Sequence, residues 1–189
     1  MTKENPDTLN DMPIVSAVHA KAFLCFFIIG VLVGLKFQGS AHGEETDAWG
    51  GERFFEADLS ARHQTILTQS DGSGHAKVRF DLKSMAIAWQ VEYEGLTSPV
   101  TEITVHGPAQ PGTNAVAIID LGANGLESPI RGDMAISDAH IQYMLLGWTY
   151  ILLKTEQYDH GELRGKLDTV PPPGFEEARR KYGHLSTRK

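Results

Sequence analysis

Six residues in the second half of the chain carry side chains that could bind a metal ion or a partner. They are His106, Lys154, Asp159, His160, Glu162 and Arg164. Zinc and copper take imidazole nitrogens and carboxylate oxygens as ligands in proteins. The first candidate site is therefore a copper or zinc centre at His106, Asp159, His160 and Glu162. The second is a binding site without metal at His106, Lys154, Glu162 and Arg164.

Each of these residues also has a structural interpretation. Alternation along a strand places His106 on the face opposite Val105, where its ring could instead bond the backbone of its own turn. Lys154 shares a face with Tyr150 and Leu152, so a buried face would force its ammonium to reach solvent or to pair with a carboxylate, and pairing would mark a pocket.

Glu162 and Arg164 fall together on the face opposite Leu163. There they could pair with other charges or hold the neighbours of the last strand, and a carboxylate beside an arginine should stay ionised. A structural role and a binding role both remain open for the two residues.

The elements that would position these side chains are short strands. Apolar and polar residues alternate in runs separated by Gly, Pro, Asn and Asp, which is the pattern of half-buried strands in a sandwich or barrel. The pattern predicts nine strands: 54–59, 65–69, 75–82, 86–95, 101–106, 115–121, 130–136, 148–155 and 163–167. The short 82–86 connection predicts an antiparallel hairpin. Arg131-Gly132-Asp133, a tripeptide of some adhesion ligands, falls within a strand and is not assigned that role.

One short helix interrupts the strands. Ser137 is a suitable N-cap and Asp138 suits the positive end of a helix. Ile141, Met144 and Leu145 follow at helical spacing, and Gly147 is placed to end the helix.

The N-terminal region predicts export. Residues 1–21 form an n-region, 22–38 a signal-peptide h-region or a membrane anchor, and 39–52 a linker. The apolar run 22–35 would span about 21 Å as a helix, which is short against a hydrocarbon core of about 30 Å. Cleavage after Ala41, an uncleaved anchor and a buried soluble helix are the three interpretations of this segment.

Charge separates the domain from the tail. Residues 42–168 carry a net charge of −10, whereas residues 169–189 carry +3, and Pro171-Pro172-Pro173-Gly174 lies between them. The domain is therefore expected at 53–168, followed by a Pro-rich and then basic tail with a short helix near 176–182. The acidic balance argues against nucleic-acid binding.

Other site chemistries lack their motifs. The single cysteine, Cys25, excludes an intramolecular disulfide and Cys-rich zinc sites. The chain contains no Walker loop, no G-x-G-x-x-G, no G-x-S-x-G and no H-E-x-x-H. Nucleotide-binding and hydrolase functions lose their best support.

Several short motifs together resemble the chordin-type domain, abbreviated CHRD, and suggest a bacterial exported member. They cover residues 54–167 in matching order: Phe55-x-Ala57-x-Leu59-Ser60, Gly74-x-Ala76, Trp89-x-Val91-x-Tyr93-x-Gly95-Leu96, His106-Gly107-Pro108, Leu145-Leu146-Gly147, Tyr150–Thr155 and Gly161-Glu162-Leu163-Arg164-Gly165. The resemblance implies an all-β, immunoglobulin-like or superoxide-dismutase-like antiparallel sandwich, preceded here by the signal or anchor helix. It implies no enzymatic activity.

The chain departs from the family pattern at two positions. Members commonly carry His-x-His before the Gly-Pro turn and a further His before the residue equivalent to Thr155, where this chain has Thr104 and Lys154. Only His106 of the three is retained, so a site built on all three imidazoles cannot form.

Three functions remain in order. The first is a non-enzymatic extracytoplasmic module, periplasmic, secreted or anchored to the inner membrane through 22–38, that binds a protein or glycan and needs no cofactor. The second is a periplasmic copper- or zinc-binding protein using His106 and the loop near His160. A dismutase-like enzyme comes last, because redox metal chemistry needs a fuller ligand set.

Overall fold

The computed structural model describes residues 51–182. The n-region, the apolar segment 22–38, nearly all of the linker and residues 183–189 lie outside the described residues. Within 51–182, no helix has both the length and the apolar character needed to cross a membrane.

Nine strands form the described domain, in the number that alternation predicts. They are β1 (Glu52–Ser60), β2 (Ser73–Asp81), β3 (Ala86–Glu94), β4 (Val100–His106), β5 (Ala117–Asp120), β6 (Ile130–Ala135), β7 (Tyr150–Thr155), β8 (Leu163–Lys166) and β9 (Asp168–Val170). A short 3₁₀ helix at Ala61–His63 follows β1.

All strand pairs are antiparallel and belong to one sheet. The strand order is β5-β4-β7-β8-β1-β2-β3-β6, and β9 pairs with the first half of β1. Residues of β1, β2 and β3 share one continuous core with residues of β4, β7 and β8. Because a flat sheet could not bring its two halves into contact, the sheet must curl around this core. The predicted all-β antiparallel architecture is confirmed.

Alternation places the core as expected in the β2–β3 hairpin. Val78, Phe80, Ile87 and Trp89 are each at most 2% exposed. The Trp89 indole donates a hydrogen bond to the Leu121 carbonyl at 3.0 Å and so fixes the segment after β5. Leu82 does not join this core, because β2 ends at Asp81 and Leu82 lies in the turn.

One predicted strand is wrong. Residues 65–69 form a loop, and Ile66 and Leu67 both face outward there, with 63% and 83% exposure. This segment has no partner strand. The ninth strand is instead β9, which pairs with Phe54–Glu56 and extends the sheet two residues beyond Asp168.

The predicted helix α1 (Asp138–Leu145) is confirmed with both of its caps. The Ser137 hydroxyl accepts a hydrogen bond from the His140 amide. At the other end Gly147 adopts a positive φ of 68°. The amides of Gly147 and Trp148 then bond the carbonyls of Met144 and Tyr143, which is a Schellman ending.

Two further expectations from the sequence hold. The second helix, α2 (Phe175–Tyr182), lies in the tail where a short helix is expected. Arg131-Gly132-Asp133 lies within β6 rather than at a loop tip.

Candidate functional site

The predicted site residues meet on the face of β4, β7 and β8 that points away from the core, here called the outer face. In the register of the sheet, His106 lies opposite Tyr150, and Glu102 lies opposite Lys154. On the other side of β7, Leu152 lies opposite Arg164. Side chains of three neighbouring strands therefore project from one surface.

Tyr150 is the centre of this surface. The Arg164 guanidinium lies 3.6 Å from the centre of its ring. The His106 ring stacks on it with centroids 5.1 Å apart and an interplanar angle of 13°. Because β7 lies between β4 and β8, the tyrosine ring separates the histidine from the arginine.

Arg164 fastens the loop 107–116 over this face. Its side chain is buried and donates to the Asn114 Oδ1 at 2.9 Å and to the Thr113 carbonyl at 2.6 Å. Asn114 Oδ1 also accepts from the Thr65 hydroxyl at 3.3 Å, which ties in the loop 61–72. Glu162 and Arg164 make no ion pair with each other in the described chain, and each holds a separate network.

His106 uses both ring nitrogens. Nδ1 lies 2.8 Å from the Ala115 carbonyl and must donate to it, so Nε2, 2.9 Å from the Thr104 hydroxyl, is the acceptor in the neutral ring. Burial, with added repulsion from Lys154 and Arg164, lowers the pKa of His106 despite the opposing effects of the Ala115 bond and Glu102. The ring is therefore held neutral.

Lys154 takes the pairing option. Its ammonium donates to the Glu102 carboxylate at 2.8 Å on the neighbouring strand, and its side chain keeps 25% exposure. The hydrogen bond from Lys154 lowers the pKa of the Glu102 carboxyl, although burial opposes this effect.

Glu162 is completely buried and accepts four hydrogen bonds. Oε1 accepts from the Ser70 hydroxyl at 2.6 Å and from the Thr97 amide at 2.9 Å. Oε2 accepts from the hydroxyls of Thr97 and Thr155 at 2.8 and 2.6 Å. Burial alone would raise the pKa of this carboxyl, but the bonds from Ser70, Thr155 and Thr97 outweigh it and hold the pKa below its ordinary value.

These contacts do not fit a copper or zinc centre. Coordination by His106 or Glu162 would break hydrogen bonds that already engage both of their donor atom pairs. Asp159 and His160 lie at a surface turn with side chains 84% and 82% exposed, 3.8 Å from each other. Among the described residues, no three His, Cys, Asp or Glu side chains are grouped to hold an ion.

Two clefts flank Tyr150. The first, here the strand cleft, has a volume of about 540 Å³ and lies between the loop 109–112 and strands β1, β8 and β9; its charged residues are Glu56, Asp58, Arg164, Lys166 and Asp168. The second, here the loop cleft, has a volume of about 440 Å³ and lies between residues 64–68 and 157–161. His106, Lys154, Asp159 and His160 all border the loop cleft.

Sequence reasoning missed two parts of this arrangement. Tyr150 enters the sequence analysis only as a neighbour of Lys154, although its position on the same face indicates the shared surface. The loop 64–68 was predicted to be a strand, and its polar pattern gives no sign that it borders a cleft.

Comparison with known proteins identifies one related family. The family model of the CHRD domain matches residues 55–167. No curated protein and no solved structure is significantly similar to this chain. The matched span runs from β1 through β8 and includes the whole outer face.

Proposed function

Since this chain belongs to the CHRD-domain family, we propose that it is exported and that its domain acts outside the cytoplasm as a non-enzymatic binding or structural module. The observation that carries the binding role is the pair of clefts on either side of Tyr150. Binding residues are often carried by loops that a rigid scaffold positions, and both clefts are bordered by such loops.

Rigidity of these loops supports the proposal. Arg164 holds the loop 107–116 through Asn114 and Thr113. Glu162 holds residues 70 and 97 from the opposite end of the outer face. A surface that is ordered before its partner arrives loses less conformational entropy on binding.

The proposed location rests on the apolar segment 22–38, which would act as a signal peptide or as an anchor. The partner would be an extracytoplasmic protein or glycan rather than a nucleic acid, since the domain is acidic. In the anchored case the protein would also contact the membrane through this segment.

Location is tested with alkaline phosphatase fused to the C terminus of the full chain, because this enzyme needs disulfides that form outside the cytoplasm. We expect activity from the full chain and little from a chain lacking residues 22–38. Equal activity of the two fusions would contradict export through this segment.

Binding is tested by placing a photo-crosslinking amino acid at Leu67, which borders the loop cleft, or at Gln110, which borders the strand cleft. Lys83, in the exposed turn between β2 and β3, is the control position. We expect a discrete crosslinked product in intact cells from at least one cleft position and not from Lys83. The same products from all three positions would contradict a binding role for the clefts.

A further inference from the structure

We infer that the loop cleft binds a neutral saccharide, an inference that rests on the proposed binding function. Its volume of about 440 Å³ lies within the range of about 300–1,000 Å³ that small-molecule sites occupy. Its lining combines amides, hydroxyls, imidazoles and a few apolar side chains, and the charges around it select among ligand classes.

The charges bordering this cleft are balanced. Lys154 and Asp159 are its two formally charged lining residues. Lys154 pairs with Glu102 at 2.8 Å, and Asp159 lies 3.8 Å from the His160 ring. A charged ligand would have to leave water without an available counter-charge, which is costly. The strand cleft differs, because three carboxylates there face two cations.

Unused hydrogen-bonding groups surround the loop cleft. The side chains of Gln64, Gln157 and Tyr158 make no hydrogen bond to any described residue, and Asn114 bonds through its Oδ1 and not its amide nitrogen. An amide presents both donors and acceptors, and each sugar hydroxyl also acts as both. Several amides around one space therefore match a ring that carries several hydroxyls.

Gln64 adds a specific observation. Its Nε2 is buried and has no partner within the described chain, and a buried donor without a partner costs roughly 1–3 kcal/mol. The nitrogen packs close to Gly161, since a Cβ built there would lie 2.8 Å from it. A small rotation of the amide toward the cleft would allow a ligand hydroxyl to accept from it.

The apolar side chains at the rim complete the match. Ile66 and Leu67 are 63% and 83% exposed. Their loop is tied down at both ends by Thr65 to Asn114 and by Ser70 to Glu162. Pyranose rings carry C–H faces that pack on such surfaces while their hydroxyls bond polar groups. An apolar peptide would cover the same two side chains but would leave the amides unpaired.

Saturation-transfer NMR on the full chain tests the inference with three neutral probes, chitotriose, cellotriose and maltotriose. The chain is kept in lauryldimethylamine oxide, whose headgroup is not a sugar. We expect transfer to the ring C–H protons of at least one probe. Leu67→Ser and Gln157→Ala should each weaken its affinity by about five-fold or more, which corresponds to roughly 1 kcal/mol.

Matched controls are Leu146→Ser and Gln69→Ala, because both residues are exposed and neither borders this cleft. These variants should bind like the parent chain. Absence of transfer from all three sugars, or equal binding by the cleft variants, would overturn the saccharide assignment. A protein crosslinked through Leu67 without sugar binding would overturn this assignment and leave the binding function intact, whereas failure of both experiments would remove both proposals.

Discussion

The Arg164 guanidinium lies over the Tyr150 ring at 3.6 Å and is at the same time the anchor of the loop 107–116. One cation thereby joins β8, β7 and a loop that borders both clefts. A guanidinium suits this position because it can stack through its plane while donating through its edge. The shape of the outer face depends on this contact.

Arg164→Lys should therefore destabilise the domain although the charge is kept. A lysine cannot stack and donate to both Asn114 and Thr113, so we expect the free energy of unfolding to fall by about 2–3 kcal/mol. Urea denaturation measures this change. Arg62→Lys, at an exposed position in the 3₁₀ helix, should change stability little, and similar losses in both variants would contradict the anchoring role.

Glu162→Gln should remove part of the acid sensitivity of the fold. The folded state holds the pKa of this carboxyl below its ordinary value, so the ionised form stabilises the fold above the unfolded pKa of about 4.3, and that contribution is lost as pH falls through the lower folded pKa. The variant should lose about 2–3 kcal/mol at pH 7.

Measured from pH 7 down to about pH 3, the free energy of unfolding should fall less in Glu162→Gln than in the parent chain. Glu127→Gln, at an exposed loop position, is the matched control and should follow the parent. Parallel pH profiles of Glu162→Gln and the parent would refute a depressed pKa at this residue.

His106 predicts a second pH dependence in a higher range. Its pKa is lowered in the folded state, so below about pH 6.5 the unfolded chain binds a proton that the folded chain does not, and stability falls as pH decreases. His106→Gln should flatten the stability profile between about pH 7 and 5. His160→Gln, with its exposed ring, should keep the parent slope; if it flattens the profile equally, the effect does not come from His106.

Gly165→Ala tests the close approach of β8 to β1. A Cβ at Gly165 would lie 2.4 Å from the Asp58 carbonyl oxygen, and backbone cannot give way as a flexible side chain can. We expect a loss of about 2 kcal/mol or more in thermal or urea unfolding. Lys166→Ala, next to it, removes only an exposed ion pair with Asp168 and should cost less than about 1 kcal/mol.

The sequence predicts elements well where local spacing decides them. The β2–β3 hairpin follows from alternation across a short turn, and α1 follows from Ser137, its apolar spacing and Gly147. Residues 65–69 show the limit of this reasoning. Their composition suits a strand, but a strand needs a neighbour to bond its backbone, and Glu162 instead holds this loop through Thr68 and Ser70.

Site residues show the same division. Their types and their common face follow from alternation, and Lys154 was expected to pair if buried. Its partner Glu102 depends on the register between β4 and β7, which no local pattern encodes. The separation of Glu162 from Arg164 is likewise decided by the loops that cover them.

By itself, the sequence determined the all-β class, most strands, the capped helix and the family, because these depend on residues near one another in the chain. Tertiary structure alone decided the pairing of β9 with β1, the stacking on Tyr150 and the two clefts. These depend on contacts between residues 50 to 110 positions apart, such as Arg164 with Asn114 and Phe54 with Val170. Curling of the sheet brings such residues together, and local spacing carries no record of that curvature.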